Sequence, residues 1–131
     1  MPQIRGFFYQ ESGEAPVKDW LEELKRRDKK GFAKCIVRLR ELFHFGHELR
    51  RPAADMLRDG VHELRAKHGH VQYRILYFFH GREAVILAHA LVKESAAVPA
   101  SDIERALARR RRYLANPADH CCIVPVLSEG D

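Results

Sequence analysis

Hydrophobic positions along this chain switch between the period of a strand and the period of a helix, and each switch marks an element. Ile4 to Tyr9 is a short apolar and aromatic run that Glu11-Ser12-Gly13-Glu14 breaks, which predicts a first strand. Val17, Trp20, Leu21 and Leu24 then recur at i, i+3, i+4 and i+7 behind Pro16, a residue that a first helical turn accepts, so an amphipathic helix follows. Asp28 suits the N-cap of a second helix whose stripe is Phe32, Ile36, Leu39 and Phe43, with Lys29, Lys30, Lys34, Arg38 and Arg40 outside it. The two helices are expected to pack as a hairpin against something flat.

Breakers make residues 46–55 a loop, and Asp59-Gly60 a turn. Val61 to Arg65 and Tyr73 to Phe79 read as a β-hairpin joined through the polar Lys67-His68-Gly69-His70 connection, and Ala84 to Val92 is a further strand that ends on Lys93. Counting by two puts Tyr73, Ile75, Tyr77 and Phe79 on one face and Arg74, Leu76 and Phe78 on the other. In the last strand the same count sets Val85, Leu87, His89, Leu91 and Lys93 against Ile86, Ala88, Ala90 and Val92. Strands apolar on both faces need cover on both, from the helix hairpin on one side and from a C-terminal helix or a ligand on the other.

That last helix is expected to start near Ala100-Ser101-Asp102, to bury Ile103, Ala106, Leu107 and Leu114, and to end in Arg109-Arg110-Arg111-Arg112-Tyr113 before Asn116-Pro117. The order β-α-α-β-β-β-α describes an α+β fold: a mixed, mainly antiparallel sheet packed against a helix hairpin and a C-terminal helix. At 131 residues the chain is expected to hold one domain, residues 1–116, with a loosely ordered tail over 117–131.

Composition narrows the class. With 46% hydrophobic and 31% charged residues the chain is globular rather than disordered, and without a signal-peptide core or an apolar run of ~18 residues it reads as soluble, cytoplasmic and without a membrane partner. Cys35, Cys121 and Cys122 form neither a disulfide framework nor a zinc ribbon pattern, and Cys35 reads as a core residue. A formal charge of +5 and a pI near 9.3 favour polyanions or an acidic protein as partners.

Arg65 and Arg74 lie on neighbouring strands and repel unless an anion sits between them. They either bind phosphate, whose geometry matches a guanidinium fork, or are structural, Arg65 pairing with a carboxylate such as Glu63 while Arg74 snorkels to solvent. Lys93 and His89 share a face and could do acid–base work, the plainer reading being a polar strand end and a satisfied interior histidine. His68 and His70 have no further ligands at suitable spacing, so no metal site is expected. Arg109 to Arg112 form either a solvated helix end or a strip that contacts phosphates, with Tyr113 available to stack on a base.

Taken in order, Val61-His62-Glu63-Leu64-Arg65, Tyr73-Arg74-Ile75-Leu76-Tyr77-Phe78, His89-Ala90-Leu91-Val92-Lys93 and the helix Ile103 to Tyr113 resemble the phage-derived Gp49-like proteins, which belong with the HigB/RelE toxins of type II toxin–antitoxin systems. The resemblance spans roughly residues 4 to 114. It implies a small RelE-like fold and a cofactor-free, metal-independent endoribonuclease that cuts mRNA on the 70S ribosome. A cognate antitoxin, expected to be a helix-turn-helix protein encoded nearby, would hold it inactive in a hetero-oligomer. By position, Arg74 is similar to the family's strand arginine at the scissile phosphate, Arg65 to its neighbouring phosphate-binding cation, Lys93 to the lysine that ends the last core strand and His89 to a histidine often found just before it. These four are the expected catalytic residues, the acid role of His89 being inferred from its chemistry, and Arg109, Arg110, Arg112 and Tyr113, with Lys67, are the expected RNA contacts. The chain departs from the family where two adjacent lysines and a threonine are common, having Lys93-Glu94-Ser95 instead. A non-catalytic RNA- or ribosome-binding module, or an inactive toxin homologue that binds an antitoxin, is the alternative.

Overall fold

A computed structural model describes residues 4–94 and 97–123. The elements in chain order are β1 (Arg5–Tyr9), α1 (Pro16–Arg27), α2 (Lys29–Phe45), β2 (Ala54–Arg58), β3 (Val61–His68), β4 (Val71–His80), β5 (Ala84–Lys93), α3 (Ala100–Ala115) and β6 (Cys121–Ile123), with short 3-10 turns at Gly46–Glu48 and Pro117–Asp119. The strands form one sheet in the order β2-β3-β4-β5-β1-β6, antiparallel at each junction except β1 against β5, which is parallel. The expected α+β architecture, mixed sheet and helix hairpin are therefore present.

Local chemistry accounts for the boundaries. Pro16 opens α1, and the Asp28 carboxylate accepts from the Gly31 amide at 3.0 Å to cap α2 as its sequence position suggests. Its second oxygen accepts from the Tyr73 hydroxyl at 2.9 Å, tying the start of α2 to the sheet. Asp59 and Gly60, at φ 50° and 89°, make the two-residue reversal between β2 and β3, a turn whose positive φ values Asp-Gly accepts readily.

Two cores lie on opposite faces of the sheet. Val17, Leu21, Cys35, Leu39, Leu42 and Phe43 from the helix hairpin pack on Leu64, Tyr73, Ile75, Tyr77, Val85 and Leu87. On the other face Ala106, Leu107 and Tyr113 of α3 pack on Tyr9, Val61, Leu76, Phe78, Ile86 and Ala88. The C-terminal helix thus supplies the second cover that strands apolar on both faces require, each buried large side chain contributing about 1.5–3 kcal/mol.

Four features differ from the sequence expectation. Residues 54–58, whose first two fall in the expected loop and whose last three had no expected element, form the edge strand β2, because backbone pairing with β3 stabilises a segment that alternates only weakly. The segment read as a tail is partly structured: Cys121, Cys122 and Ile123 pair antiparallel with Tyr9, Phe8 and Phe7, while residues 124–131 lie outside the described residues. Leu114 is exposed, and Tyr113 takes the buried position at the end of α3.

The fourth difference is a bulge in β5. Leu76 pairs with His89 and Tyr77 with Leu87, so Ala88 is an extra residue. A single inserted residue exchanges the two faces of everything beyond it. Val85 and Leu87 stay on the helix-hairpin side, whereas His89, Leu91 and Lys93 turn to the α3 side, where Leu91 pairs with Arg74. Plain counting by two had placed all five together.

Candidate nucleic-acid interface

Register arranges the candidate residues in rows across β3, β4 and β5. Lys67, Gln72 and Lys93 form one row, Arg65, Arg74 and Leu91 the next, and Glu63, Leu76 and His89 the third. All lie on the α3 side, since they alternate with the residues that meet the helix hairpin. The side chain of Asp102, in the first turn of α3, meets His89, and Tyr113 near its other end meets His80. The helix therefore runs from the third row away toward His80, and the first two rows lie beyond its N-terminal end.

The anion between the two arginines is Glu63. Arg65 donates to Glu63 Oε2 from Nε at 3.1 Å and from Nη2 at 2.8 Å, and Arg74 donates to Oε1 from Nε at 3.1 Å. Arg74 is 6% exposed and spends its remaining forks on the Tyr73 carbonyl at 3.0 Å and Gln72 Oε1 at 2.9 Å. It does not snorkel; burial pulls its pKa down, opposed by Glu63 and reinforced by Arg65. Arg65 keeps a third of its side chain in solvent. Its Nη2 also lies 3.6 Å from Asp55, which in turn pairs with Arg51 at 2.7 Å. Alternating charges thus run from Arg51 through Asp55, Arg65 and Glu63 to Arg74, ending in a single net positive charge.

His89 is engaged on both nitrogens. Nε2 lies 2.6 Å from Asp102 Oδ1, and Nδ1 lies 3.3 Å from Arg109 Nη1. Because a guanidinium only donates, Nδ1 accepts and Nε2 carries the proton given to Asp102, which defines a neutral tautomer. Burial lowers the His89 pKa, against the pull of Asp102 and with help from Arg109 and Arg105. Lys93 shares its face as expected, but Leu91 stands between them and the separation along the strand is about 13 Å. Lys93 belongs to the Arg65–Arg74 strip, and His89 to the junction with α3.

The basic helix end divides in the same way. Arg109 donates to the Ala88 carbonyl at 2.7 Å and lies over the Tyr9 ring at 5.9 Å, burial lowering its pKa. Arg110 rests against Gly60. Arg112 pairs with Glu11 at 3.1 Å, the carboxylate that also accepts from the Tyr9 hydroxyl at 2.7 Å. Tyr113 is 3% exposed, its ring edge-on to Phe78 and its hydroxyl 2.7 Å from His80 Nδ1. It is a core residue here, without an open face for a base, because the turn of the helix that Leu114 was expected to bury is the one Tyr113 occupies. Lys67 is exposed at the outer row. Glu94 is exposed at the end of β5, and Ser95 lies outside the described residues.

Sequence reasoning named Glu63 only as a possible partner of Arg65 and missed Asp55, Gln72 and Asp102. The Glu63-x-Arg65 alternation was the available signal for the first of these, since two residues apart on a strand share a face. Among the described residues no three His, Cys, Asp or Glu side chains converge as a metal cluster would, and no helix is long and apolar enough to cross a membrane.

A search of curated proteins found no match to this chain. A family model described as phage-derived protein Gp49-like (DUF891) matches residues 19–111, a span that includes most of α1, all of α2, the β2 to β5 meander and most of α3. That span, more than two thirds of the sequence, holds Arg65 and Arg74 with their carboxylate partner Glu63, and Lys93, and the chain therefore belongs to the Gp49-like family, a family of RelE/HigB-like toxins.

Proposed function

We propose that the protein is the toxin of a type II toxin–antitoxin system and acts as an mRNA endoribonuclease on the translating ribosome, using the strip beyond α3 as its phosphate site. The observation that carries this reading is the cross-strand pair of Arg65 and Arg74 on the side of the sheet opposite the helix hairpin, with Lys67 and Lys93 in the adjacent row. Arg65, Lys67 and Lys93, the cations of this group that reach solvent, suit a polyanion that crosses the strip from β3 to β5.

Each side chain then has a distinct role. Arg65, partly in solvent and held by Glu63, meets the non-bridging oxygens and stabilises the charge that grows as the 2′-hydroxyl attacks phosphorus. Arg74, buried behind it, is a positioning residue that keeps Glu63 and hence Arg65 in place. Lys93 carries a proton at the strip and supplies it to the departing 5′ oxygen. Attack forms the 2′-oxygen–phosphorus bond as the 2′-hydroxyl proton passes to water, and breaks the 5′-oxygen–phosphorus bond, leaving a 2′,3′-cyclic phosphate and a 5′-hydroxyl end; Lys93 then regains a proton from solvent. A cognate antitoxin restrains the activity by covering this strip.

The second reading, a non-catalytic homologue that binds RNA or an antitoxin, draws support from one observation: His89 and Tyr113 are both committed to interior contacts. Induced expression separates the two. A toxin arrests growth and leaves new mRNA ends with cyclic phosphates, whereas a binder leaves the transcripts intact.

A further inference from the structure

On the helix-hairpin side of the sheet, past the C-terminal end of α2, a cleft of about 440 Å³ opens between the Gly46–Arg51 segment and β2, β3 and β4. Neither the strip beyond α3 nor its chemistry uses this cleft. Part of its wall is made of rings: His47 stacks on Phe79 with centroids 3.7 Å apart and planes 22° from parallel. His62 stacks on Tyr77 at 5.2 Å and meets Phe79 edge-on at 5.3 Å.

His47 is exposed even though Phe79 covers one side of its ring, so its other side faces solvent. Its Nε2 donates to the Gly81 carbonyl at 3.2 Å, which holds the ring plane in place. Met56, 54% exposed, adds an apolar surface, and Arg50 and Arg51 stand exposed at the rim. Arg51 pairs with Asp55, whereas Arg50 has no ion pair among the described residues.

We propose that this cleft binds one unpaired nucleotide of a single-stranded RNA, with the base stacked on the open side of His47 and its phosphate between Arg50 and Arg51. A flat ring at the end of a held aromatic stack takes another flat ring, and base stacking of this kind is indifferent to sequence. Guanidinium forks at the rim match a phosphate. Inside, burial and the neighbouring His47 favour the neutral form of His62 against the pull of Asp55, so its imidazole offers one donor and one acceptor to a base edge. An acidic peptide would engage the arginines and leave the stack without a partner.

The cleft and the strip are joined through β2. Asp55 pairs with Arg51 at the cleft rim and lies 3.6 Å from Arg65 on the opposite face. An RNA strand that leaves Arg65 and rounds this edge of the sheet enters the cleft, which rests on the reading of the strip as an RNA site.

The test titrates a 2′-O-methyl RNA pentamer, which lacks the attacking hydroxyl, into the full chain while NMR follows the ring protons of His47 and His62. Saturable shifts at both rings are expected, with binding at least tenfold weaker in Arg50→Glu, a substitution at an exposed side chain that leaves the fold intact. Shifts confined to other histidines, or equal affinity for Arg50→Glu, overturn the inference. Its failure is separable from that of the ribonuclease reading: mRNA cleavage with a silent cleft overturns the cleft alone, and a cleft that fills without any cleavage overturns the ribonuclease alone.

Discussion

Arg74 reaches Glu63 across the β3–β4 pair, Nε to Oε1 at 3.1 Å, with each side chain only 7% exposed. Two buried, opposite charges each depend on the other, and removing one leaves the second without compensation in the interior. Glu63→Ala is therefore expected to destabilise the fold by about 3–5 kcal/mol, measured by chemical denaturation. Arg65→Ala, at a side chain one third in solvent, should lose about 1 kcal/mol or less. Equal losses for the two variants would contradict the assignment of Arg74 to the interior and Arg65 to the surface.

Acid should loosen the attachment of α3. His89 has a pKa below the ordinary 6.5, so the unfolded chain takes up its proton at a higher pH than the folded chain does. The stability this gives is fully present above pH 6.5 and is lost as pH falls through the lowered folded value. His62 shifts in the same direction, also through burial, and contributes to the same loss. Denaturation midpoints measured across this window should fall with pH in the wild type and fall less steeply in His89→Gln; an unchanged slope would mean that His89 does not hold the helix as its contacts with Asp102 and Arg109 imply.

Tyr113→Phe separates a core role from a catalytic one. The ring stays against Phe78 and only the bond to His80 is lost, so a cost of about 1 kcal/mol in stability is expected, with mRNA cleavage retained. Loss of cleavage in a variant that folds normally would place the hydroxyl in the chemistry.

The sequence expressed most of this architecture because β4 alternates cleanly: Tyr73, Ile75 and Tyr77 went to the helix hairpin and Arg74, Leu76 and Phe78 to α3 as counting by two requires. The capping role of Asp28 and the burial of Cys35 were equally legible. The bulge at Ala88 was not, since an inserted residue has no signature in a run that, His89 apart, is apolar from Ala84 to Val92. It decides the site, because it is what turns Lys93 toward Arg74. The edge strand β2 was hidden by its polar residues, although Asp59-Gly60 before the Val61 strand is a hairpin signal that pointed back to it. Of the clasp of Glu63 by two arginines, the Arg65 half was legible because the two residues share a face of one strand, whereas the Arg74 half was not, since it needs the register of β3 against β4 as well as their sequences.

The strip as the site of RNA cleavage is tested most directly by adding the wild type, Arg65→Ala and Lys93→Ala to a translating extract and mapping mRNA ends. Both side chains are partly exposed at the strip, so the variants should fold. The wild type should leave new 5′-hydroxyl and 2′,3′-cyclic phosphate ends in the translated message, and each variant should lose at least 100-fold of that cleavage, the order of magnitude for removing one group that stabilises charge or transfers a proton. No cleavage by the wild type, or equal cleavage by all three, would contradict the assignment.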